Sequence, residues 1–185
     1  MMTNYQKLRA LIIDDDQQDV AGLLYLLDQS EVEYEYVDTL EEGIEAIAEA
    51  HEQSDDYDLV ICDNHFYDRS LIEYDPNFNG VDLIGIISGN TDFDENPRMR
   101  QLAQDYFGPS FGDIQAHYKG RLIMFSGSAA SEDSSLFRGV DLIQKFPDRE
   151  DEICEQDLIH AMQERGFGVE MDFQNLVSFK QAYAY

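Results

Sequence analysis

Four aspartates follow two apolar runs of the sequence, and their positions indicate an acidic ligand site. The first run, LRALII, is followed by Asp14, Asp15 and Asp16, and the second, YDLVIC, is followed by Asp63. Buried parallel strands are apolar throughout, and ligands of open α/β sheets bind beyond the carboxyl ends of the strands. Carboxylates packed together raise one another's pKa, and a divalent cation relieves their repulsion. Because hard oxygen ligands favour Mg²⁺, the sequence predicts a magnesium site at one edge of a sheet.

The apolar periodicity predicts the elements that must position these aspartates. Strands are expected at residues 8–13, 32–37, 57–62, 121–128 and 140–145, and helices at 17–27, 39–50, 80–88 and 151–162. A further short helix is expected between the fourth and fifth strands. Strands that alternate with helices predict an α/β fold with a parallel sheet covered on both faces. Right-handed crossovers restrict this five-stranded sheet to doubly wound topologies.

Two long stretches interrupt the alternation and are predicted to be insertions. Residues 64–79 are typical of a long loop, and residues 89–119 of an irregular stretch with one short helix around 98–107. Loops this long are often functional, and a plain surface insertion is the equal alternative. The chain is therefore expected to form one domain over residues 1–165, with a C-terminal extension, 166–185, packed on or beside it.

Composition narrows the classes of partner and the compartment. The 185 residues include 39 acidic and 12 basic side chains, for a net charge of −27. Such a surface disfavours nucleic-acid backbones and anionic membranes, which both need basic patches. No secretory signal and no apolar stretch of membrane-spanning length is found, and Cys62 and Cys154 are expected to be free thiols. These features together predict a cytoplasmic protein.

The polar residues at the ends of four predicted strands resemble the receiver domain of two-component response regulators. LIIDDD resembles the acidic pair after the first receiver strand, LVICD the phosphoacceptor strand, FSGSA the strand that ends in a hydroxyl residue, and LIQKF the strand that ends in lysine. The resemblance spans about residues 8–163 in the right order. It implies a flavodoxin-like fold with strand order 2-1-3-4-5. A tail of about twenty residues is too short for an output domain, so a single-domain response regulator is expected.

The resemblance also implies a phosphoryl-transfer site centred on Asp63. A histidine kinase or a phosphotransfer protein would supply the phosphoryl group from a phosphohistidine, and Asp63 would be the nucleophile. Mg²⁺ would be held by Asp14, Asp15 and Asp63, with a backbone carbonyl at His65 as a further ligand. No separate enzymatic activity is expected beyond this Mg²⁺-dependent phosphorylation and dephosphorylation.

Two further residues complete the site that the resemblance implies. Lys145 would contact a phosphoryl oxygen as a point charge, and Ser126 would hydrogen-bond another once the group arrives. The new charge would reorder nearby loops, and output would come through contact with a downstream protein. The sequence departs from the family in having Leu142 where an aromatic residue usually stands, and Phe146 between the lysine and a proline.

Other interpretations of the same residues stay open at the level of sequence. Asp14 to Asp16 are also typical of a helix N-cap, Asp63 and Ser126 of turns, and Lys145 of a solvated strand end. The chain could instead be a pseudo-receiver that serves as a scaffold or dimerisation module. A Mg²⁺-dependent phosphatase of the aspartyl-phosphate type is a third candidate, since residues 14–16 contain a DxD pattern. A homodimer is compatible with each of these.

Overall fold

Five parallel strands in the order β2-β1-β3-β4-β5 form the centre of the protein. The computed structural model describes residues 8–30, 32–66, 79–89, 97–127, 139–145 and 154–169. The strands are β1 (Arg9–Ile13), β2 (Glu33–Val37), β3 (Leu59–Cys62), β4 (Leu122–Ser126) and β5 (Val140–Gln144). The prediction of a doubly wound, flavodoxin-like sheet of order 2-1-3-4-5 is confirmed.

Burial along the strands follows their positions in the sheet. Every residue of β3 and β4 is buried, as the continuous apolar runs predict for central parallel strands. The edge strand β2 alternates instead, with Glu33 and Glu35 exposed and Tyr34 and Tyr36 half-buried. This alternation gives β2 one solvated face, in agreement with its sequence.

Six α-helices lie in the described ranges and connect the strands. They are α1 (Ala21–Asp28), α2 (Leu40–Glu52), α3 (Gly80–Ile87), α4 (Pro97–Phe107), α5 (Phe111–Tyr118) and α6 (Cys154–Glu164). Helix α2 begins after Thr39, whose side chain accepts a hydrogen bond from Glu42 N and so caps the helix. Helix α6 is followed by Gly166, whose φ of 87° allows the chain to turn away.

The helices cover the sheet from both sides and bury two separate apolar clusters. Alternate strand residues point to opposite faces, so Leu11, Val60 and Met124 pack with helices α2 to α5. Ile12 and Ile61, their neighbours in sequence, pack with helices α1 and α6 on the other face. The sheet is thus held from both sides, and its carboxyl edge is a fixed platform for the polar residues that follow the strands.

The stretch at residues 89–119 is more regular than predicted. The expected short helix is present as α4, but α5 follows it after a 3-10 turn at Gly108–Ser110. The prediction of an irregular stretch is therefore wrong for residues 97–118. Helix α5 is stabilised by tertiary packing, since Ile114 and Tyr118 lie one turn apart and are both buried. The Phe107 and Phe111 rings stack across the turn with centroids 6.4 Å apart.

Several predictions fall on parts of the chain outside the described residues. These are most of the loop at 64–79, the short helix between β4 and β5, the residues around Phe146, and the extension beyond residue 169. Of the two cysteines, Cys62 is buried and free, and the side chain of Cys154 lies outside the described set. No helix in the described ranges is long and apolar enough to cross a bilayer.

Candidate functional site

Strand pairing brings Asp14 and Asp63 to the same edge of the sheet. Ile13 and Cys62 are register partners at the ends of β1 and β3, so the aspartates that follow them are neighbours. Asp63 N donates to Ile13 O at 2.9 Å, and Asp14 N donates to Val37 O at 3.1 Å. The Tyr36 hydroxyl donates to Asp14 O at 2.6 Å. Main-chain hydrogen bonds therefore continue past the strand ends and fix both aspartates.

Three carboxylates at this edge lie close enough to share one cation. Asp14, Asp15 and Asp63 each place one oxygen within 4.8 Å of the others. Asp14 and Asp63 are buried and Asp15 is half-buried. Three anionic oxygens with no sulfur or imidazole ligand fit a hard divalent ion such as Mg²⁺. The predicted acidic group is thus assembled from two strand ends that are distant in sequence.

Lys145 brings a buried positive charge to these carboxylates. It follows β5, where its main-chain N donates to Ser126 O at 3.1 Å. Its Nζ lies 2.6 Å from Asp14 Oδ2 and 2.9 Å from Asp63 Oδ2, and the side chain is 1% exposed. A buried ammonium needs partners of this kind, because an unpaired charge in the interior is very costly. The interpretation of Lys145 as a solvated strand end is therefore wrong.

The electrostatics of the buried pair follow from desolvation and from charge. Burial raises the pKa of Asp14 from 3.8 to about 7, although the Lys145 ammonium acts against this shift. Desolvation acts to lower the pKa of Lys145, but the carboxylates of Asp14 and Asp63 outweigh it and raise that pKa above its usual value. Lys145 thus stays charged at neutral pH, and Asp14 is poised to exchange a proton there.

Ser126 and His65, the remaining predicted site residues, lie in different surroundings. Ser126 is the last residue of β4 and is 1% exposed, and its carbonyl holds the main chain of Lys145. His65 is exposed, and its Nε2 lies 3.4 Å from Asn64 Nδ2. Its side chain is not a member of the acidic group, and the role expected of its backbone carbonyl stays a prediction.

Asp16, the third aspartate after β1, serves the local turn. Its N–H donates to Asp14 Oδ1 at 3.1 Å, and its own Oδ1 accepts from Gln18 N at 2.9 Å. Such bonds are typical of acidic residues in turns. Asp16 therefore helps to hold Asp14 in place and lies outside the group of three carboxylates.

Sequence patterns did not single out Asp19, Asn64 or Gly80, which also adjoin the site. Asp19 Oδ2 lies 3.7 Å from Lys145 Nζ, and desolvation raises its pKa despite that ammonium. Asn64 N donates to Asp63 Oδ1 at 2.6 Å. A Cβ on Gly80 would lie 1.7 Å from Asp63 O. Only the adjacency of Asn64 to Asp63 could have been noticed in the sequence, since the other contacts depend on tertiary structure.

Comparisons with known proteins give a likeness in structure alone. No family model matches the sequence, and no curated protein matches it. Among solved structures, a response regulator receiver domain protein from Clostridium thermocellum matches with a TM-score of 0.47 and 16% identity. The match covers 85% of this chain and 93% of the other. At this identity the likeness concerns the fold, which the strand order already establishes.

Proposed function

We propose that this chain is a phosphoacceptor of the receiver type, phosphorylated on Asp63 in a two-component or phosphorelay pathway. One observation carries the proposal. The fully buried Lys145 ammonium lies between Asp14 and Asp63, where these two carboxylates and Asp15 converge. A structural ion pair needs one carboxylate, whereas this arrangement gathers three carboxylates and one lysine at the ligand-binding edge of the sheet.

Asp14, Asp15 and Asp63 would hold Mg²⁺, with the carbonyl of His65 as the proposed additional ligand. Their donor atoms are hard oxygens within 4.8 Å of one another, which suits that ion. When bound, the ion supplies positive charge for the oxygens of a phosphoryl group. Asp14 has to give up the proton that its raised pKa favours before it can serve as a ligand.

Asp63 would act as the nucleophile. One of its oxygens forms a bond to the phosphorus of a phosphohistidine while the P–N bond breaks, and the electron pair returns to the imidazole nitrogen. Lys145 Nζ, which lies 2.9 Å from Asp63 Oδ2, would contact an oxygen of the transferred group. Ser126 lies at the end of the adjacent strand and would donate its hydroxyl to another.

The partners implied are a histidine kinase or phosphotransfer protein as donor and a downstream protein as target. A net charge of −27 disfavours nucleic acid and favours basic protein surfaces. Leu142 lies in the middle of β5, at the position where receivers usually have an aromatic residue. This chain therefore has no aromatic side chain there to relay the signal. Output is therefore expected to use other contacts of the phosphorylated protein, including self-association.

The test is phosphorylation by a small-molecule donor. The protein is incubated with Mg²⁺ and acetyl phosphate, and intact mass is measured before and after hydroxylamine, which cleaves acyl phosphates. We expect one phosphoryl group on the wild type and none on Asp63→Asn. The control is Asp105→Asn, which changes the same charge at an exposed site on α4 and should be labelled like the wild type.

Three outcomes would count against the proposal. Equal labelling of Asp63→Asn would place the phosphoryl group elsewhere. Absence of labelling, together with no binding of a beryllofluoride mimic, would favour the pseudo-receiver. Sustained turnover of a generic phosphate ester that depends on Asp14 and Asp16 would favour the aspartyl-phosphate phosphatase.

A further inference from the structure

Asn64, the residue after the proposed phosphoacceptor, is buried and makes contacts in two directions. Asn64 is only 1% exposed. Its N–H donates to Asp63 Oδ1 at 2.6 Å, while Lys145 Nζ donates to the other oxygen, Oδ2, at 2.9 Å. The Asp63 carboxylate is therefore oriented by two donors, one on each oxygen. Asn64 provides one of them from the neighbouring peptide.

The opposite side of Asn64 holds the first turn of helix α3. The first N–H groups of a helix have no partner within it. Gly80 N donates to the Asn64 carbonyl at 3.1 Å, and Val81 N donates to Asn64 Oδ1 at 3.3 Å. The next N–H, that of Asp82, donates to Asn79 Oδ1 at 3.2 Å. Asn64 thus accepts two of these three hydrogen bonds, and Asn79 accepts the third.

Gly80 brings the two main-chain segments into direct contact. A Cβ at this position would lie 1.7 Å from Asp63 O and 2.7 Å from its carbonyl carbon. Backbone atoms cannot move aside as the end of a flexible side chain can, so the start of α3 is pressed against the peptide that joins Asp63 to Asn64. A displacement of that peptide must be followed by Gly80 and Val81.

We propose that Asn64 is a positioning residue that orients the Asp63 carboxylate and couples its state to the first turn of helix α3. The inference rests on the function proposed above. A ligand on Asp63 Oδ1 competes with the Asn64 N–H and shifts the peptide that also holds Gly80. The signal then leaves the site through α3, on the face of the sheet covered by α2 to α5. This route needs no aromatic residue in β5.

Two matched substitutions separate positioning from helix capping. Asn64→Ala keeps the N–H that donates to Asp63 Oδ1 but removes the side-chain oxygen that accepts from Val81 N and ties that peptide to α3. Asn79→Ala removes the oxygen that accepts from Asp82 N. Each variant therefore loses one side-chain acceptor in the same helix turn, and both should lower the urea midpoint by similar amounts. We expect the rate of phosphorylation by acetyl phosphate to fall about tenfold in Asn64→Ala. In Asn79→Ala it should stay within twofold of the wild type.

A second measurement needs no phosphorylation, and its first part uses only the wild type. In the wild type, titration with Mg²⁺ alone should shift the backbone amide NMR signals of Gly80 and Val81. The amide of Glu42, in the equivalent turn of α2, should move far less. In Asn64→Ala the Val81 response should be lost, and in Asn79→Ala it should remain.

The failures of the two proposals are distinguishable. If both variants are phosphorylated equally slowly, Asn64 is only a helix cap. The same conclusion follows if the Gly80 and Val81 amide signals of the wild type do not shift when Mg²⁺ binds. A wild type that binds Mg²⁺ with the expected shifts but is never phosphorylated would refute the proposed function and leave the coupling to α3 intact. A wild type that binds no Mg²⁺ and accepts no phosphoryl group would overturn both.

Discussion

Lys145 Nζ lies 2.6 Å from Asp14 Oδ2, and the two side chains are only 1% and 2% exposed. Asp14 is also one of the three carboxylates close enough to share a cation. The ammonium and a metal ion therefore draw on the same carboxylate. In the absence of the ion, the Lys145 ammonium offsets the desolvation cost of burying the carboxylates of Asp14 and Asp63.

Replacement of Lys145 should destabilise the ion-free protein strongly. Lys145→Met leaves Asp14 and Asp63 buried without their partner, and loss of one side of a buried ion pair costs about 3–5 kcal/mol. Urea unfolding at neutral pH measures this loss, and added Mg²⁺ should recover part of it because the ion binds the folded state. Lys119→Met, at an exposed position after α5, is the control and should change stability by less than about 0.5 kcal/mol. Similar losses in both variants would contradict the role given to Lys145.

Stability should fall as pH rises through the acid range. Burial raises the pKa of Asp14 from 3.8, the ordinary value for an aspartate, to about 7, so the folded state binds the proton more tightly. Between those values the unfolding free energy therefore decreases with pH, by at most about 1.4 kcal/mol per unit for one group, and levels off above about 7. Asp14→Asn should flatten most of this slope. Asp19, whose pKa is also raised, acts in the same direction and accounts for a remainder.

Mg²⁺ affinity should show the opposite trend. Because Asp14 must be deprotonated to bind the ion, affinity should rise about tenfold per pH unit below 7 and then level off. Calorimetric titrations in buffers of different ionisation enthalpy would detect the release of one proton at pH 6 and little release at pH 8. A proton count that does not change between these values would show that Asp14 is not a ligand.

Ser126 should affect the phosphoryl group and leave the metal site unchanged. A hydrogen bond to a charged group is worth about 1.5–3 kcal/mol, so Ser126→Ala should slow phosphorylation about 10- to 100-fold. Its Mg²⁺ affinity should equal that of the wild type. The control is Ser88→Ala at the end of α3, where the hydroxyl donates to Gly85 O at 3.0 Å. Equal slowing in both variants, measured as phosphorylation rate with acetyl phosphate, would remove Ser126 from the site.

Gly80 and Gly43 differ in what an added Cβ would contact: rigid main chain at Gly80 and a movable side chain at Gly43. A Cβ on Gly80 would meet Asp63 O at 1.7 Å, whereas one on Gly43 would meet the tip of Ile13, Cδ1, at 2.6 Å. Ile13 can rotate its side chain, but the Asp63 carbonyl belongs to the main chain. Gly80→Ala should therefore cost about 1–3 kcal/mol and Gly43→Ala less, as measured by thermal unfolding. A Gly80→Ala variant as stable and as active as the wild type would show that α3 can move away from Asp63.

The fold was predictable because hydrophobic periodicity marks buried parallel strands and amphipathic helices clearly. Runs such as LVIC are buried throughout, and Leu40, Ile44 and Ile47 lie on the buried side of α2 as their spacing requires. Helix α5 was not predicted, because FGDIQAHY is short, polar and poor in helix signals. Its two buried residues, Ile114 and Tyr118, are stabilised by contacts with distant elements, and such contacts override local propensity.

The candidate site was also predictable only in part. Asp14, Asp15 and Asp63 could be named because each follows an apolar strand, and strand ends meet at one edge of a parallel sheet. Lys145 could be named only through the resemblance of LIQKF to the receiver strand that ends in lysine. The hydrogen bond between Lys145 and Asp63 nevertheless spans 82 positions in sequence, and no local pattern encodes it. The same is true of Asp19 beside Lys145 and of Gly80 against Asp63. Their roles depend on how closely helices approach the strand ends, which spacing alone does not specify.

The contact between Gly80 N and Asn64 O also has a practical use for protein engineering. It joins the two ends of residues 65–79, so that segment leaves and re-enters the domain at a single point beside Asp63. A fluorescent tag attached through a cysteine introduced at His65, which is exposed, would lie beside this contact. It would be tethered within a few residues of the carboxylate whose chemistry it is meant to report.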